Sequence, residues 1–306
     1  MTKVNVLIYQ SIKKSKFLKK IKPALKTIGL KKVLISAFKL LQRSTFKDKT
    51  IVEISLSQLI QFKISVNPEF GEVDWYIYQH KIWEKNITKH FTQTVKPNDV
   101  VIDIGANIGY FTLLSAMLTG NQGSVHAFEP QKEIYSALTE NISLNNLSNV
   151  ITNNLGLGSK SGTLTLTQMP GNRGGGRILE NQVQQGISEK VKVISLDQYV
   201  ENHQIGEINF IKIDVEGFEY EVLQGANRVF SKLKPSCLFE FSPDIWKKNE
   251  MDWISKSNEL LTFFLEKGYN LQDIDFDEFI NQENLDEYVN RFELRRQSNI
   301  MATPNF

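Results

Sequence analysis

The sequence predicts an α/β protein built on a doubly wound, mostly parallel sheet with helices on both faces. Three observations predict it. Val100, Val101, Ile102 and Ile104 form the near-continuous apolar run of a strand covered on both sides, and beyond Gly105 and Gly109 the segment 111–118 continues as a helix. The pattern recurs at 124–129, a short strand ending in Glu129 and followed by a helix from Gln131 to about Asn145. It recurs again at 208–213, an apolar strand that ends in Asp214 and Glu216 before a helical stretch running to Gly225. Strand, turn and helix repeated in this way place parallel strands side by side, because a parallel pair needs a crossover and the crossover helix covers the sheet.

The 306 residues carry a net charge of +2, which hides an asymmetry: the first 50 hold 14 Lys and Arg against one acid, Asp48, a local +13 that leaves −11 for the remainder. Residues 1–49 read as a basic helical extension. Ile12, Phe17, Leu18, Ile21, Leu25 and Ile28 recur at helical spacing among lysines, with a break near Gly29 before the segment 33–41 resumes. Two readings of it stay open: residues 1–45 make a peripheral contact with an anionic membrane surface or an acidic partner, or they pack on the rest of the chain with a solvated lysine face. Residues 50–94 form a lead-in, partly alternating strands up to Val66 and then one aromatic-rich helix from Trp75 to Phe91. A helix just ahead of the central strand commonly walls a ligand site. Residues 95–306 form the sheet domain.

Further along, a third strand is expected at 149–155. Thr163 to Gln168 alternates and pairs as a hairpin with 191–195, and its glycine-rich tip carries Arg173 and Arg177, which either wrap an anionic substrate or belong to a mobile surface loop. Ser195 caps a helix over 196–203. A fifth strand spans 236–241 and contains Glu240, a helix follows over 253–267, and 269–274 with 298–302 supply the last strands. Cys237 is the only cysteine, so no internal disulfide forms. No apolar run approaches the roughly 20 residues needed to span a bilayer, and a cytoplasmic location is expected. His80, His90, His126 and His203 have no partner at metal-ligand spacing, so no metal site is expected. An acidic body argues against nucleic acid as a partner.

The chemistry is concentrated at the strand ends. A dinucleotide loop reads Gly-x-Gly-x-x-Gly in neutral or positive surroundings, whereas this one reads Asp103-Ile-Gly-Ala-Asn-Ile-Gly109. An acid beside the turn suits a ligand with positive charge, and S-adenosylmethionine carries an ammonium and a sulfonium. Gly105 and Gly109, with Ala106 and Asn107 between them, are expected to let that ligand lie against the main chain. Glu129 is expected to accept the ribose hydroxyls, and Asn154 to border the adenine. Asp103, Glu129, Asp214 and Glu216 are expected to converge where the strand order reverses.

In this order, Asp103-Ile-Gly-Ala-Asn-Ile-Gly109, Phe128-Glu129-Pro130 and Ile211-Lys-Ile-Asp214-Val-Glu-Gly217-Phe-Glu219, together with Leu223-Gln-Gly225-Ala226 and Phe239-Glu240, resemble the successive motifs of the FkbM-family methyltransferases over residues 95 to about 305. The resemblance implies a class I methyltransferase fold, Rossmann-like, with a seven-stranded sheet of five parallel strands and a reversed hairpin. It also implies S-adenosylmethionine as cofactor and methylation of a hydroxyl on a sugar, glycan or secondary metabolite. On that basis Asp103, Gly105, Ala106, Asn107, Gly109 and Glu129 serve the cofactor. Asp214 orients its methionyl end or the acceptor, and Glu216 is the candidate base; Glu240, in the matching Phe239-Glu240 pair, is a candidate acceptor contact, as are Arg173 and Arg177 if the glycine-rich tip is not a surface loop. Asp214-Val-Glu-Gly stands where methyltransferases acting on amide-like nitrogen carry an Asn/Asp-Pro-Pro-aromatic turn, which favours oxygen. The competing readings are a catalytically silent scaffold of the same fold and a nicotinamide dehydrogenase, the latter disfavoured by the glycine spacing.

Overall fold

Alternating apolar side chains decide the first two strands of the computed structural model, which describes residues 49–69, 71–168, 176–178, 187–249 and 251–305. The basic helices expected before residue 49 lie outside these. Strands β1 (Thr50–Ser55) and β2 (Gln61–Val66) pair antiparallel and bury Val52, Ile54, Phe62 and Ile64 on one face. The single helix expected from Trp75 to Phe91 is two, α1 (Glu72–His80) and α2 (Lys85–Thr94). Lys81 and Glu84 interrupt it in the left-handed region, at φ 55° and 40°, where a right-handed helix cannot continue. The aromatic periodicity runs across this break and conceals it in the sequence.

The main body continues through β3 (Val100–Ile104), α3 (Tyr110–Thr119), β4 (Ser124–Phe128), α4 (Lys132–Leu144), β5 (Val150–Asn153), β6 (Gly156–Leu157), β7 (Gly162–Gln168), β8 (Gly176–Ile178) and β9 (Ile187–Ile194). It then runs through α5 (Leu196–Asn202), β10 (Phe210–Ile213), α6 (Glu219–Gln224), a π turn at Val229–Leu233, β11 (Ser236–Phe241), α7 (Pro243–Lys248) and α8 (Trp253–Glu266). The last elements are β12 (Tyr269–Asp273), β13 (Glu278–Ile280), α9 (Leu285–Arg291) and β14 (Ser298–Pro304). The large sheet has the order β13-β12-β14-β11-β10-β3-β4-β5. β11, β10, β3, β4 and β5 are parallel neighbours, and β14 joins β11 antiparallel. The chain order therefore reverses between β3 and β10, which opens a crevice at their carboxyl ends.

The expected seven strands are present, and β13 adds an eighth at the edge, antiparallel to β12. A local turn brings it back: Asp273 Oδ1 accepts from the N–H groups of Asp275 and Phe276, and Asp277 takes φ 54°. The hairpin expected from Thr163 forms, with Leu164 opposite Val191, but in a separate four-stranded sheet ordered β6-β9-β7-β8.

Strand alternation sorts the interior into two layers. Ile102, Ile104, Ile211, Ile213, Phe239 and Phe241 pack with Tyr199, Leu223, Leu261 and Phe264 on one face of the sheet. Val101, Phe210 and Leu238 pack with Phe91, Phe111 and Leu114 on the other. By the same alternation Asp103, Lys212 and Glu240 belong to the second face.

Candidate active site

The turn after β3 is held by its own chain. Gly105 N–H and Ala106 N–H both donate to Phe128 O at 3.0 Å, Asn107 N–H to Glu129 Oε2 at 3.1 Å, Ile108 N–H to Asn107 Oδ1 at 2.8 Å, and Gly109 N–H to Ala106 O at 2.9 Å. Five consecutive amides are thus spent inside the protein, leaving none of them to cradle a pyrophosphate. The glycines answer to packing more than to ligand approach. A Cβ on Gly105, at φ +82°, would lie 1.8 Å from Asp214 O, and one on Gly109, at φ +96°, would lie 2.7 Å from Leu138 Cδ1.

Glu129 is buried at the end of β4, and Gln131 N–H donates to its Oε1 at 2.9 Å. Burial outweighs these N–H donors and pushes its carboxyl up to about 7. Asn154 differs from expectation: it stands outside the cleft wall, and its amide donates to the carbonyls of Glu129 at 2.9 Å and Pro130 at 3.0 Å. It secures the turn that carries Glu129.

On the adjoining strands, Lys212 of β10 lies in register beside Asp103 of β3, and its Nζ donates to Asp214 Oδ2 at 2.8 Å. Its ammonium stands 5.0 Å from the Phe111 ring centroid. Burial alone would lower this ammonium, but Asp214, Asp103 and Glu84 outweigh it and hold it raised. Asp103 is 1 % exposed; its Oδ2 accepts from Thr112 Oγ1 at 2.5 Å, and its Oδ1 has no hydrogen-bond partner among the described residues. Burial raises its pKa against the pull of Lys212 and Thr112.

After β10 the chain turns through Glu216 and Gly217, at φ 56° and 94°. Glu219, fully buried, fixes this turn: its Oε1 accepts from Val215 N–H and Gly217 N–H, each at 3.1 Å. Burial pushes Glu219 up to about 8. Trp246 Nε1 donates to Gly217 O at 2.8 Å from the far side.

A cleft with a cavity volume of about 290 Å³ opens at these strand ends. Asp103, Gly105, Ala106, Asn107, Glu129, Asp214, Glu216 and Glu240 all line it, so the convergence expected from the sequence is realised. Gly109 is not on its wall; Arg173 lies outside the described residues, and for Arg177 only the backbone, within β8, is described. Sequence reasoning missed three residues. Lys212 carried a signal, since a lysine inside the apolar run Phe-Ile-Lys-Ile demands a buried acid partner. Glu219 stands in the motif ending Gly217-Phe-Glu219, but its role is set by the backbone turn it holds, and Glu84 carried no signal because the break between α1 and α2 places it. Glu84 lines the cleft with Trp83, and burial, then Asp214, push it up to about 7. Glu240 is raised well above its ordinary value by burial first and then by Asp214, Glu219 and Glu216. Among the described residues no group of three or more His, Cys, Asp or Glu side chains is arranged to hold a metal ion, and no helix is long and apolar enough to cross a membrane.

Five parallel strands, a reversed terminal pair and an acid-lined cleft at the point of reversal define the class I methyltransferase fold. Residues 103–271 match the Methyltransferase FkbM domain family, and this chain belongs to that family. Residues 13–161 also match the protein-L-isoaspartate(D-aspartate) O-methyltransferase family. Among curated relatives, the hexuronic acid methyltransferase AglP of Haloferax volcanii is 33% identical over 142 residues, 46% of this chain and 56% of that protein. The 31-O-demethyl-FK506 methyltransferase FkbM of Streptomyces tacrolimicus is 26% identical over 178 residues, 49% of this chain and 67% of that protein. The match thus spans little more than half the length of the Haloferax relative. A solved FkbM methyltransferase from Methylobacillus flagellatus superposes with a TM-score of 0.41 at 16% identity, covering 70% of this chain and 50% of that one.

S-adenosylmethionine is the cofactor, and the cleft fits it. Two buried carboxyl groups, Asp103 and Glu129, flank the first turn, Asp103 Oδ1 is open to a donor, and Phe128, Leu155 and Leu157 give an apolar wall.

Proposed function

We propose that this protein is an S-adenosylmethionine-dependent O-methyltransferase acting on a hydroxyl of a sugar, glycan or secondary metabolite. The observation that carries the reading is the first turn, where amides spent internally and buried carboxyls favour a cationic ligand over a dinucleotide. Two relatives bear on the acceptor: one is named for the 31-O position of a natural product, and one for a hexuronic acid, which carries a carboxylate as well as hydroxyls.

In this reading Asp103, Gly105, Ala106, Asn107 and Glu129 form the cofactor side, with Gly109 and Asn154 keeping its two turns in shape. The bound cofactor supplies an electrophilic methyl group on sulfur. Asp214, tied to Lys212, orients the methionyl end or the acceptor, and Glu216 receives the hydroxyl proton. As the acceptor oxygen took up that methyl group, its hydroxyl proton would pass to the Glu216 carboxylate. The left-handed backbone at Glu216 costs about 1–2 kcal/mol, and strain of this kind gathers at functional sites.

The experiment is transfer of a labelled methyl group to hydroxylated acceptors by wild type and Glu216→Gln. Turnover should fall roughly 100-fold or more while S-adenosylhomocysteine affinity stays within a few-fold. Near-normal turnover would remove Glu216 from the proton step. Stabilisation by NAD and not by S-adenosylhomocysteine would refute the whole reading.

A further inference from the structure

Resting on that reading, we infer that the acceptor half of the cleft takes an uncharged polyhydroxylated molecule, a neutral sugar or sugar-like ring, and turns away acceptors that carry a carboxylate or phosphate. Its wall holds Glu72, Glu84, Asp214, Glu216 and Glu240. Among the described residues Lys212 is the one basic side chain on it, and that ammonium is engaged by Asp214 at 2.8 Å. Bound S-adenosylmethionine brings a net charge of only +1, one carboxylate against an ammonium and a sulfonium. An anionic acceptor would therefore find no free cation among the described wall residues and would meet whichever of these carboxyl groups are ionised, in a partly dehydrated site where charges act more strongly than in water.

A second observation points to hydroxyl groups. Glu84 Oε2 and Glu240 Oε2 are both buried on this wall, and neither accepts a hydrogen bond of good geometry among the described residues, with the Ser242 hydroxyl standing beside Glu240. Buried polar atoms left unpaired are costly, so they mark where a ligand completes the set. Their supports differ: Glu84 comes from the break between α1 and α2, whereas Glu240 is held in β11, with Gln297 Nε2 donating to its Oε1 at 2.9 Å. A hydroxyl has one donor and two lone pairs, so it satisfies a carboxylate or a carboxylic acid equally well. That versatility suits this pair. Burial favours the protonated form of Glu240 and, with Asp214, pushes Glu84 up to about 7. Trp83, next to Glu84, lines the same wall and offers a flat apolar surface for the C–H face of a ring.

The test uses full-length protein with methyl-labelled S-adenosylmethionine. Acceptors are offered as matched pairs, methyl hexosides against the corresponding methyl uronides and 6-phosphates, and as neutral and anionic pools of a cell extract separated by anion exchange. Neutral acceptors should receive label at least roughly tenfold faster than their anionic counterparts. Glu84→Gln and Glu240→Gln should each lower that transfer roughly tenfold while S-adenosylhomocysteine affinity and thermal unfolding stay close to wild type. Label predominantly in anionic acceptors overturns the inference. So does label in neither class while S-adenosylhomocysteine binds, and so does undiminished transfer in both variants. Failure of S-adenosylhomocysteine to bind is a separate result that removes the methyltransferase reading itself.

Discussion

Glu129 offers the sharpest test of how the cleft holds its cofactor. Its two oxygens accept from Asn107 N–H at 3.1 Å and Gln131 N–H at 2.9 Å, so the carboxyl ties the first turn to the start of α4 and retains lone pairs for ribose hydroxyls. Glu129→Ala removes a charged acceptor and should cost about 1.5–3 kcal/mol of S-adenosylhomocysteine affinity, roughly 10- to 150-fold. Burial holds the group near 7 in the free protein, against an ordinary 4.5. A ribose donor favours the ionised form, so affinity should be full above about pH 7 and fall as pH drops, approaching tenfold per unit. The same shift acts on folding with the opposite sense: the stabilising preference for the protonated form is present below pH 4.5 and is lost as pH rises through about 7. Calorimetric titration at three pH values, with wild type and Glu129→Gln, separates the contributions. The glutamine variant cannot ionise and should lose this part of the pH dependence, any residual slope belonging to Asp103. Equal slopes in the two proteins, or unchanged affinity in Glu129→Ala, would refute the ribose role.

Glu219 should behave as a structural acid. Glu219→Gln keeps an acceptor for Val215 N–H and Gly217 N–H and should stay within about 1 kcal/mol of wild type near pH 5, whereas Glu219→Ala orphans both and should lose about 3–5 kcal/mol. Because burial raises Glu219 to about 8, its preference for the protonated state stabilises the fold below pH 4.5 and fades as pH rises toward 8, so Glu219→Gln should gain on wild type in thermal melts at higher pH. Gly105→Ala, whose Cβ would stand 1.8 Å from Asp214 O, should lose at least about 3 kcal/mol or fail to fold. Gly162→Ala, with nothing within 4 Å, should change stability by no more than about 0.5 kcal/mol. If the basic arm docks on anionic lipid, removing residues 1–45 should abolish salt-sensitive co-sedimentation with anionic vesicles while S-adenosylhomocysteine binding survives; insolubility of the shortened chain would instead show that the arm packs on the body.

The sequence by itself determined the parallel strands and the acids at their ends. Apolar runs at 100–104 and 210–213 can only be buried strands, and a carboxylate directly after such a run must emerge at the carboxyl edge of the sheet. Local order settled Asp103, Glu129, Asp214 and Glu216 for that reason. What only the tertiary structure decided depended on neighbours distant in the chain. Gly105 is required by the carbonyl of Asp214, more than a hundred residues further on, and Asn154 turns away from the cleft because the Glu129 and Pro130 carbonyls claim its amide. Lys212, ion-paired locally with Asp214, stands beside Asp103 only because β10 registers beside β3, and Glu84 reaches the wall only because a left-handed break, invisible to periodicity, ends one helix and begins another. Spacing along a chain reports which face a side chain takes within its own element; which partner waits there is set when elements pack, since hydrogen bonding and charge act over a few ångströms of space whatever their separation in sequence.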